Sequence, residues 1–274
     1  MADSNFGGVR PIPPRRPGED IRVDLTGRHV VVTGGSRGMG AAFGREFATA
    51  GARVTLLARG SADLERVAAQ LRVGHLAADV ANADGVAERL EAIAPVDVLI
   101  NNAGLGTSGD LTDFSAPQLR QLYEVNALAP AELARQLLPG MRARARGRLV
   151  FVSSLSAQVA LPGLTAYSAT KAAVSQLAEG LRRDLRGTGV GVTNVELGPV
   201  DTGLYDEATS YEPCRDAFDR MLRIRMLRKL TVDEVADAVV RACGNDRDRV
   251  VLPRRAAAQV MASHMPQWIA NRML

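Results

Sequence analysis

Tyr167 and Lys171 stand four residues apart in the run Ala-Tyr-Ser-Ala-Thr-Lys-Ala, and Ser154 precedes Tyr167 by thirteen residues. On a helix, positions i and i+4 share a face, so this spacing sets a Lys171 ammonium near a Tyr167 phenol. A nearby positive charge favours the phenolate and lowers the phenol pKa from about 10. The pair is therefore expected to exchange a proton near neutral pH, as is needed where a carbonyl gains a proton or an alcohol loses one.

Far upstream lies Thr33-Gly34-Gly35-Ser36-Arg37-Gly38-Met39-Gly40. Glycines between a strand and a helix let backbone N–H groups approach a phosphate, and the helix N-terminus adds partial positive charge. The spacing departs from the G-x-G-x-x-G fingerprint, and a tight turn without a ligand is the other reading. The second strand ends Leu57-Ala58-Arg59, without the carboxylate that would bind a ribose 2′-hydroxyl. Two arginines, Arg37 and Arg59, are instead placed to receive the 2′-phosphate of NADP(H); each alone also suits a solvated surface. Asp79 and Val80 after the third strand are placed to meet an adenine, although Asp79 is equally good capping sequence. Asn101-Asn102-Ala103-Gly104 closes the fourth strand.

These residues need a frame that brings strand ends together. The pattern gives strand His29 to Thr33, a helix through Phe47, strand Arg53 to Ala58, a helix near Ala62 to Leu71, and a short strand at Gly74 to Ala77. It continues with a helix around Ala83 to Ile93, strand Val96 to Asn101, one helix from Ala116 to Arg144, and strand Arg148 to Ser153. The Tyr167 helix then runs to about Arg186, followed by strands Val190 to Leu197 and Val250 to Leu252. Strands apolar throughout belong to a parallel sheet covered on both faces. The expectation is a single-domain α/β, Rossmann-type doubly wound parallel sheet with helices on both faces.

The chain has 274 residues and no composition break that would divide it. Residues 1–22, rich in Pro, Gly and Arg, are expected to be an arm, the folded domain to span 23–255, and 256–274 to be a tail. No apolar run approaches the ~20 residues of a membrane span. The first residues show no apolar signal segment, which makes a cytoplasmic location the default expectation. Cys214 and Cys243 are too few for a disulfide framework and have no metal-ligand spacing, so no metal is expected. The net charge of +4 comes from scattered arginines; with no basic block, a nucleic-acid partner is not expected. The tail is basic and apolar, and suits folding over a pocket, packing on another subunit, or touching an anionic membrane surface.

The Thr33 to Gly40 turn, Asn101-Asn102-Ala103-Gly104, Asn126 in Glu-Val-Asn-Ala, Ser154, and Tyr167-x-x-x-Lys171 occur in the order and spacing of a known family. Across about residues 25–255 the chain resembles the short-chain dehydrogenase/reductases. The resemblance implies a catalytic set of Asn126, Ser154, Tyr167 and Lys171. Ser154 would hydrogen-bond the substrate oxygen, and Tyr167 would exchange a proton with it. Lys171 would lower the Tyr167 pKa and hold the nicotinamide ribose, and Asn126 would position a relay water. It further implies that Gly34, Ser36, Arg37, Gly38, Met39, Gly40, Arg59, Asp79, Val80, Asn102, Ala103, Gly104, Tyr167, Lys171, Val200 and Thr202 hold the cofactor.

One position departs from the family pattern: Leu197-Gly198-Pro199-Val200-Asp201-Thr202 has Leu197 where the family commonly has proline. Residues 203–229 fall where the family carries a substrate lid. Leu204, Tyr205, Tyr211, Phe218, Met221, Leu222, Ile224, Met226 and Leu227 suit a hydrophobic ketone or secondary alcohol, or ordinary helix packing. A reductase of carrier-bound 3-oxoacyl thioesters shares every motif, and a dinucleotide-sensing regulator would keep the fold without the chemistry. A homo-oligomer, dimer or tetramer, is expected from the family, which usually pairs the long helices that precede and contain Tyr167; Leu177, Leu181 and Leu185 on the latter suit that contact or packing inside the monomer.

Overall fold

The computed structural model describes residues 23–256 apart from 61, 83 and 84. The expected arm and tail lie outside the described residues. Seven parallel strands form one sheet: β1 His29–Thr33, β2 Arg53–Ala58, β3 Gly74–Ala77, β4 Val98–Asn101, β5 Gly147–Ser154, β6 Val190–Leu197 and β7 Arg249–Leu252. Their spatial order is β3-β2-β1-β4-β5-β6-β7. The order reverses between β1 and β4, so the turns after these two strands diverge and leave a crevice at the carboxyl end of the sheet.

Nine α-helices connect the described strands: α1 Gly38–Thr49, α2 Ala62–Leu71, α3 Val86–Ile93, α4 Ala116–Tyr123, α5 Ala129–Ala143, α6 Thr165–Asp184, α7 Gly203–Ala208, α8 Glu212–Arg223 and α9 Val232–Gly244. Two separate apolar layers follow from the alternation of side chains along each strand. Val30, Val32, Leu56 and Val195 point toward α1, α2 and α9, where they meet Phe43, Phe47, Leu64 and Val239. Val31, Leu99, Phe151 and Val192 point the other way, onto Leu90, Leu133, Leu137 and Val174 of α3, α5 and α6. The expected doubly wound fold is the observed one.

Several boundaries shift by one to three residues from the sequence reading, and two of the differences have a plain physical reason. β4 begins at Val98 rather than Val96, because the Val96 N–H donates to the Glu91 carboxylate and its carbonyl accepts from the Arg144 guanidinium, both at 3.2 Å, instead of joining the sheet; the Asp97 carboxylate that follows accepts from the Arg146 guanidinium at 2.7 Å and from the His29 backbone N–H at 2.9 Å. This residue anchors the foot of the sheet. The single helix expected from Ala116 to Arg144 is α4 and α5 joined by a π-turn, Glu124–Leu128. Pro130 lacks the N–H that an α-helix would direct at the Asn126 carbonyl, and the backbone widens there. Asn126 is thereby placed on a turn of altered pitch beside the crevice.

Candidate active site

The crevice at the carboxyl end of the sheet has a volume of about 1380 Å³ and is lined by residues from both halves of the fold. At one end lies the glycine turn. Gly34 and Gly38 have φ of +69° and +51°, values that L side chains rarely adopt. A Cβ at Gly40 would lie 2.0 Å from the Gly34 carbonyl oxygen, so the turn closes this tightly only with glycine there. The N-terminus of α1 has no side-chain cap and no acid in its first turn. Orphan N–H groups facing a cavity lined by Ser36, Arg37, Gly38 and Met39 make a site suited to a phosphate.

Arg59, at the end of β2, lines the same cavity, as do Asp79, Val80, Asn102, Ala103, Gly104, Val200 and Thr202. Every cofactor residue expected from the sequence thus falls on one surface. Asp63, which the sequence reading passed over, is also there, but its carboxylate accepts from Arg66 at 3.0 Å. Asp79 serves locally as well, its carboxylate accepting from the Ala81 N–H at 3.0 Å. Asn102 clamps the β1 and β4 turns together by donating through Nδ2 to the Thr33 carbonyl at 2.8 Å. Nothing in this donor set conflicts with an anionic dinucleotide; the residues present fit NADP(H).

At the other end, Tyr167 and Lys171 project from the first turns of α6, both buried. That helix is seated by Ser153, whose hydroxyl donates to the Lys171 carbonyl at 2.9 Å and shares a 2.7 Å hydrogen bond with Ser175. The Lys171 ammonium donates to the Val152 carbonyl at 3.0 Å and lies 5.7 Å from the centre of the Tyr167 ring. Asn126 joins the loop after β4 to α6. Its Oδ1 accepts from the Leu105 N–H at 2.7 Å, and its Nδ2 donates to the Leu105 carbonyl at 3.0 Å and to Thr170 Oγ1 at 3.1 Å.

The electrostatics differ from the expectation of a lowered tyrosine pKa. Burial pushes the Tyr167 phenol up to about 12, with the Ser154 hydroxyl opposing the rise. Burial also pulls Lys171 down to about 8. Desolvation penalises both charged forms here and outweighs the attraction inferred from helical spacing. Tyr167 is therefore held as a neutral phenol, the form that can donate a proton.

The lid segment forms α7 and α8. Its base is fixed where Val200 bridges to Leu230, with the Asp201 N–H donating to the Leu230 carbonyl at 2.9 Å. This pairing also shows how the loop accommodates Leu197: the residue completes β6 in register with Leu252, and the Gly198 N–H donates to the Leu252 carbonyl at 2.7 Å. Leu204, Tyr205, Phe218, Met221 and Leu227 line the crevice, joined by Leu161 and Leu164 from the loop after β5. Tyr211 and Leu222 pack behind them. Ile224 and Met226 do not take part, being 59% and 41% exposed. Lys229 stacks its ammonium 4.3 Å from the Tyr205 ring centre.

Glu207 was also missed by sequence reading. A Cβ at Gly106 would lie 3.1 Å from its Oε2, and removal from water raises its carboxyl pKa, opposed by Arg37.

The family model for short chain dehydrogenase matches residues 28–213. The chain belongs to the short-chain dehydrogenase family. A short chain dehydrogenase of Pseudocercospora fijiensis is 34% identical over 258 residues, covering 88% of this chain and 82% of its own. A cyclic-di-GMP-binding biofilm dispersal mediator protein of Escherichia coli is 33% identical over 226 residues, covering 80% of this chain and 91% of its own.

Among solved structures, a short-chain dehydrogenase/reductase from Burkholderia phymatum in complex with NAD superposes with a TM-score of 0.78 at 27% identity, covering 91% of this chain and 96% of that one. A 3-oxoacyl (acyl-carrier-protein) reductase from Agrobacterium tumefaciens with NADP bound gives a TM-score of 0.72 at 30% identity, covering 84% and 94%. No helix among the described residues of this short-chain dehydrogenase is long and apolar enough to cross a membrane.

Proposed function

We propose that the protein is an NADP(H)-dependent oxidoreductase that interconverts a ketone and a secondary alcohol on a hydrophobic substrate. One observation carries the reading: the neutral Tyr167 phenol, the Ser154 hydroxyl and the Lys171 ammonium meet in a cavity whose far end holds the glycine turn with Arg37 and Arg59. When bound, NADPH supplies the hydride. Tyr167 donates its proton to the substrate oxygen as the carbonyl carbon is reduced, and Ser154 donates a hydrogen bond to the same oxygen. The Lys171 ammonium stabilises the tyrosinate left behind. The Asn126 carbonyl, deprived of its α-helical donor by Pro130, is suited to hold the water that returns a proton through Lys171.

Gly34, Ser36, Gly38, Met39 and Gly40 hold the diphosphate, and Arg37 and Arg59 grip the 2′-phosphate. Asp79 and Val80 border the adenine, and Asn102, Ala103, Gly104, Val200 and Thr202 border the nicotinamide. Leu155, Leu161, Leu164, Tyr205, Phe218 and Met221 supply an apolar wall for the substrate. The test is oxidation of NADPH, followed by its absorbance, with a panel of aliphatic and aromatic ketones. Turnover of ketones by wild type but not by Tyr167→Phe supports the reading.

Similarity to the carrier-protein reductase favours a second reading, reduction of 3-oxoacyl thioesters. Activity on acyl-carrier thioesters with none on free ketones would select it. A homo-oligomer is retained as part of the proposal, through the helical segment that precedes Tyr167 rather than through the leucines of α6. Leu185 is buried in the monomer core and Leu177 and Leu181 pack against it, whereas Tyr123 and Leu128 stand 40% and 55% exposed on the neighbouring helical segment. Light scattering distinguishes a dimer or tetramer from a 29.2 kDa particle.

A further inference from the structure

Ser154 is followed by a 3-10 turn, Leu155–Ala157, and its side chain does two things there. Its Oγ accepts from the Ser156 backbone N–H at 3.1 Å and from the Ser156 hydroxyl at 3.0 Å. A serine hydroxyl has two lone pairs and one proton. With both lone pairs filled, only the proton is left to give. Its remaining contact, to the Leu197 carbonyl at 3.4 Å, is long for an O–H···O bond, whose usual distance is about 2.7 to 2.8 Å.

The turn that presents Ser156 is itself fixed. Gln158 closes it, and the Gln158 amide donates to Glu196 Oε1 at 3.1 Å. Glu196 is fully buried in β6, in register with Ser153, and its other oxygen accepts from Arg249 Nε at 2.6 Å. A buried carboxylate held by an ion pair and an amide is costly to move. It ties the Ser154 turn to the two outer strands.

We propose that Ser156 is a positioning residue that makes Ser154 an obligate hydrogen-bond donor to the substrate oxygen, with the Glu196–Gln158 pair holding the turn in which it acts. The inference rests on the ketone-reductase reading above. Without the Ser156 hydroxyl, a Ser154 lone pair is freed and its proton can rotate away from the substrate. The opposing effect of Ser154 on the Tyr167 pKa agrees with this direction, since a hydroxyl lowers a phenol pKa by donating to the phenolate oxygen.

The test is a double-mutant cycle in ketone reduction with Ser154→Ala, Ser156→Ala and the double variant, together with Ser156→Thr. Ser156→Ala is expected to lower kcat roughly tenfold with KM changed less than about threefold, the pattern of an interaction made in the transition state. In the Ser154→Ala background, Ser156→Ala should have no further effect, and Ser156→Thr should restore most of kcat because it returns the hydroxyl. A wild-type kcat in Ser156→Ala, or losses that multiply in the double variant, overturns the inference.

A Thr variant as slow as the Ala variant would assign Ser156 to packing and also overturns it. If Ser156→Ala does not fold by circular dichroism, Ser156→Cys keeps the volume with a weaker donor and should fall between wild type and Ser154→Ala; a wild-type rate there overturns it equally. Absence of wild-type turnover on any ketone would remove the reading underneath. Ketone turnover lost in Ser154→Ala but untouched by Ser156→Ala would remove this inference alone.

Discussion

The Lys171 ammonium lies 5.7 Å from the centre of the Tyr167 ring and donates to the Val152 carbonyl at 3.0 Å, a neutral acceptor rather than a carboxylate. A buried cation held by a carbonyl alone keeps much of its desolvation penalty, which brings its pKa to about 8. The protonated form is lost as pH rises through that value. In reduction, kcat/KM is expected to be level below pH 8 and to fall above it, since this parameter reports ionisations of the free enzyme. The chain contains only two lysines, Lys171 and Lys229. Carbon-13 NMR of labelled lysine therefore reads Lys171 directly, with exposed Lys229 as reference, and a Lys171 titration above 10 would exclude it as the source of the alkaline limb.

The same burial has a consequence for stability. Lys171 has a lower pKa folded than unfolded, so its charge destabilises the fold below about pH 8, and the penalty is relieved as pH rises from there toward 10.5. Lys171→Met removes the charge. At pH 7 the relief is on the order of 3 kcal/mol, less about 1 kcal/mol for the lost hydrogen bond. The variant is expected to be inactive yet more stable in urea by about 2 kcal/mol, with the advantage shrinking at pH 10. A variant less stable than wild type at pH 7 would contradict a buried charge at this position.

Tyr167→Phe should reduce turnover by more than a hundredfold, because the proton-donating hydroxyl is lost while the ring and its packing remain. NADPH affinity should stay within about twofold, since the phosphate-binding turn is untouched. Fluorescence titration with NADPH alongside turnover separates the two. A residual rate above roughly a tenth of wild type, less than about 1.4 kcal/mol in barrier, would assign the proton transfer elsewhere.

The sheet and the location of the site were legible because their signals are local. An unbroken apolar run such as Val30-Val31-Val32 fits only a strand covered on both faces, and glycine at 34, 38 and 40 marks a turn that side chains would block. What sequence did not reveal depends on contacts between distant residues. The Tyr167 pKa is set by burial in the folded chain, which helical spacing cannot report. Pro130 did carry a signal for the π-turn, in its missing N–H four residues after Asn126. Glu196 carried one too, as the lone charged residue of its strand, but its partners Gln158 and Arg249 are 38 and 53 residues away.

Gly40→Ala tests how tightly the phosphate turn closes. The added Cβ would lie 2.0 Å from the Gly34 carbonyl oxygen and 2.9 Å from Asn102 Nδ2. Neither the backbone oxygen nor an amide already donating to Thr33 can yield easily. The turn must open, at a cost of about 1 to 3 kcal/mol or more in stability. NADPH binding by calorimetry should be lost before folding is. A variant that bound NADPH as tightly as wild type would mean that the turn does not approach the cofactor.

Cofactor choice follows from two arginines at one cavity end. Charge-assisted hydrogen bonds to a 2′-phosphate contribute roughly 1.5 to 3 kcal/mol each. Arg37→Ala or Arg59→Ala should therefore weaken NADPH roughly ten- to a hundredfold and leave NADH nearly unchanged. Ala58→Asp goes further, because a carboxylate at the end of β2 repels the phosphate and accepts from the ribose hydroxyls of NADH. Raising the salt concentration should erode the NADPH preference of wild type and not the NADH activity of Ala58→Asp, since only the former depends on exposed guanidinium groups. The measurement is kcat/KM for both cofactors across the variants. A wild type that prefers NADH, or an Arg59→Ala change that weakens both cofactors alike, would leave these arginines as surface charges with no part in selection.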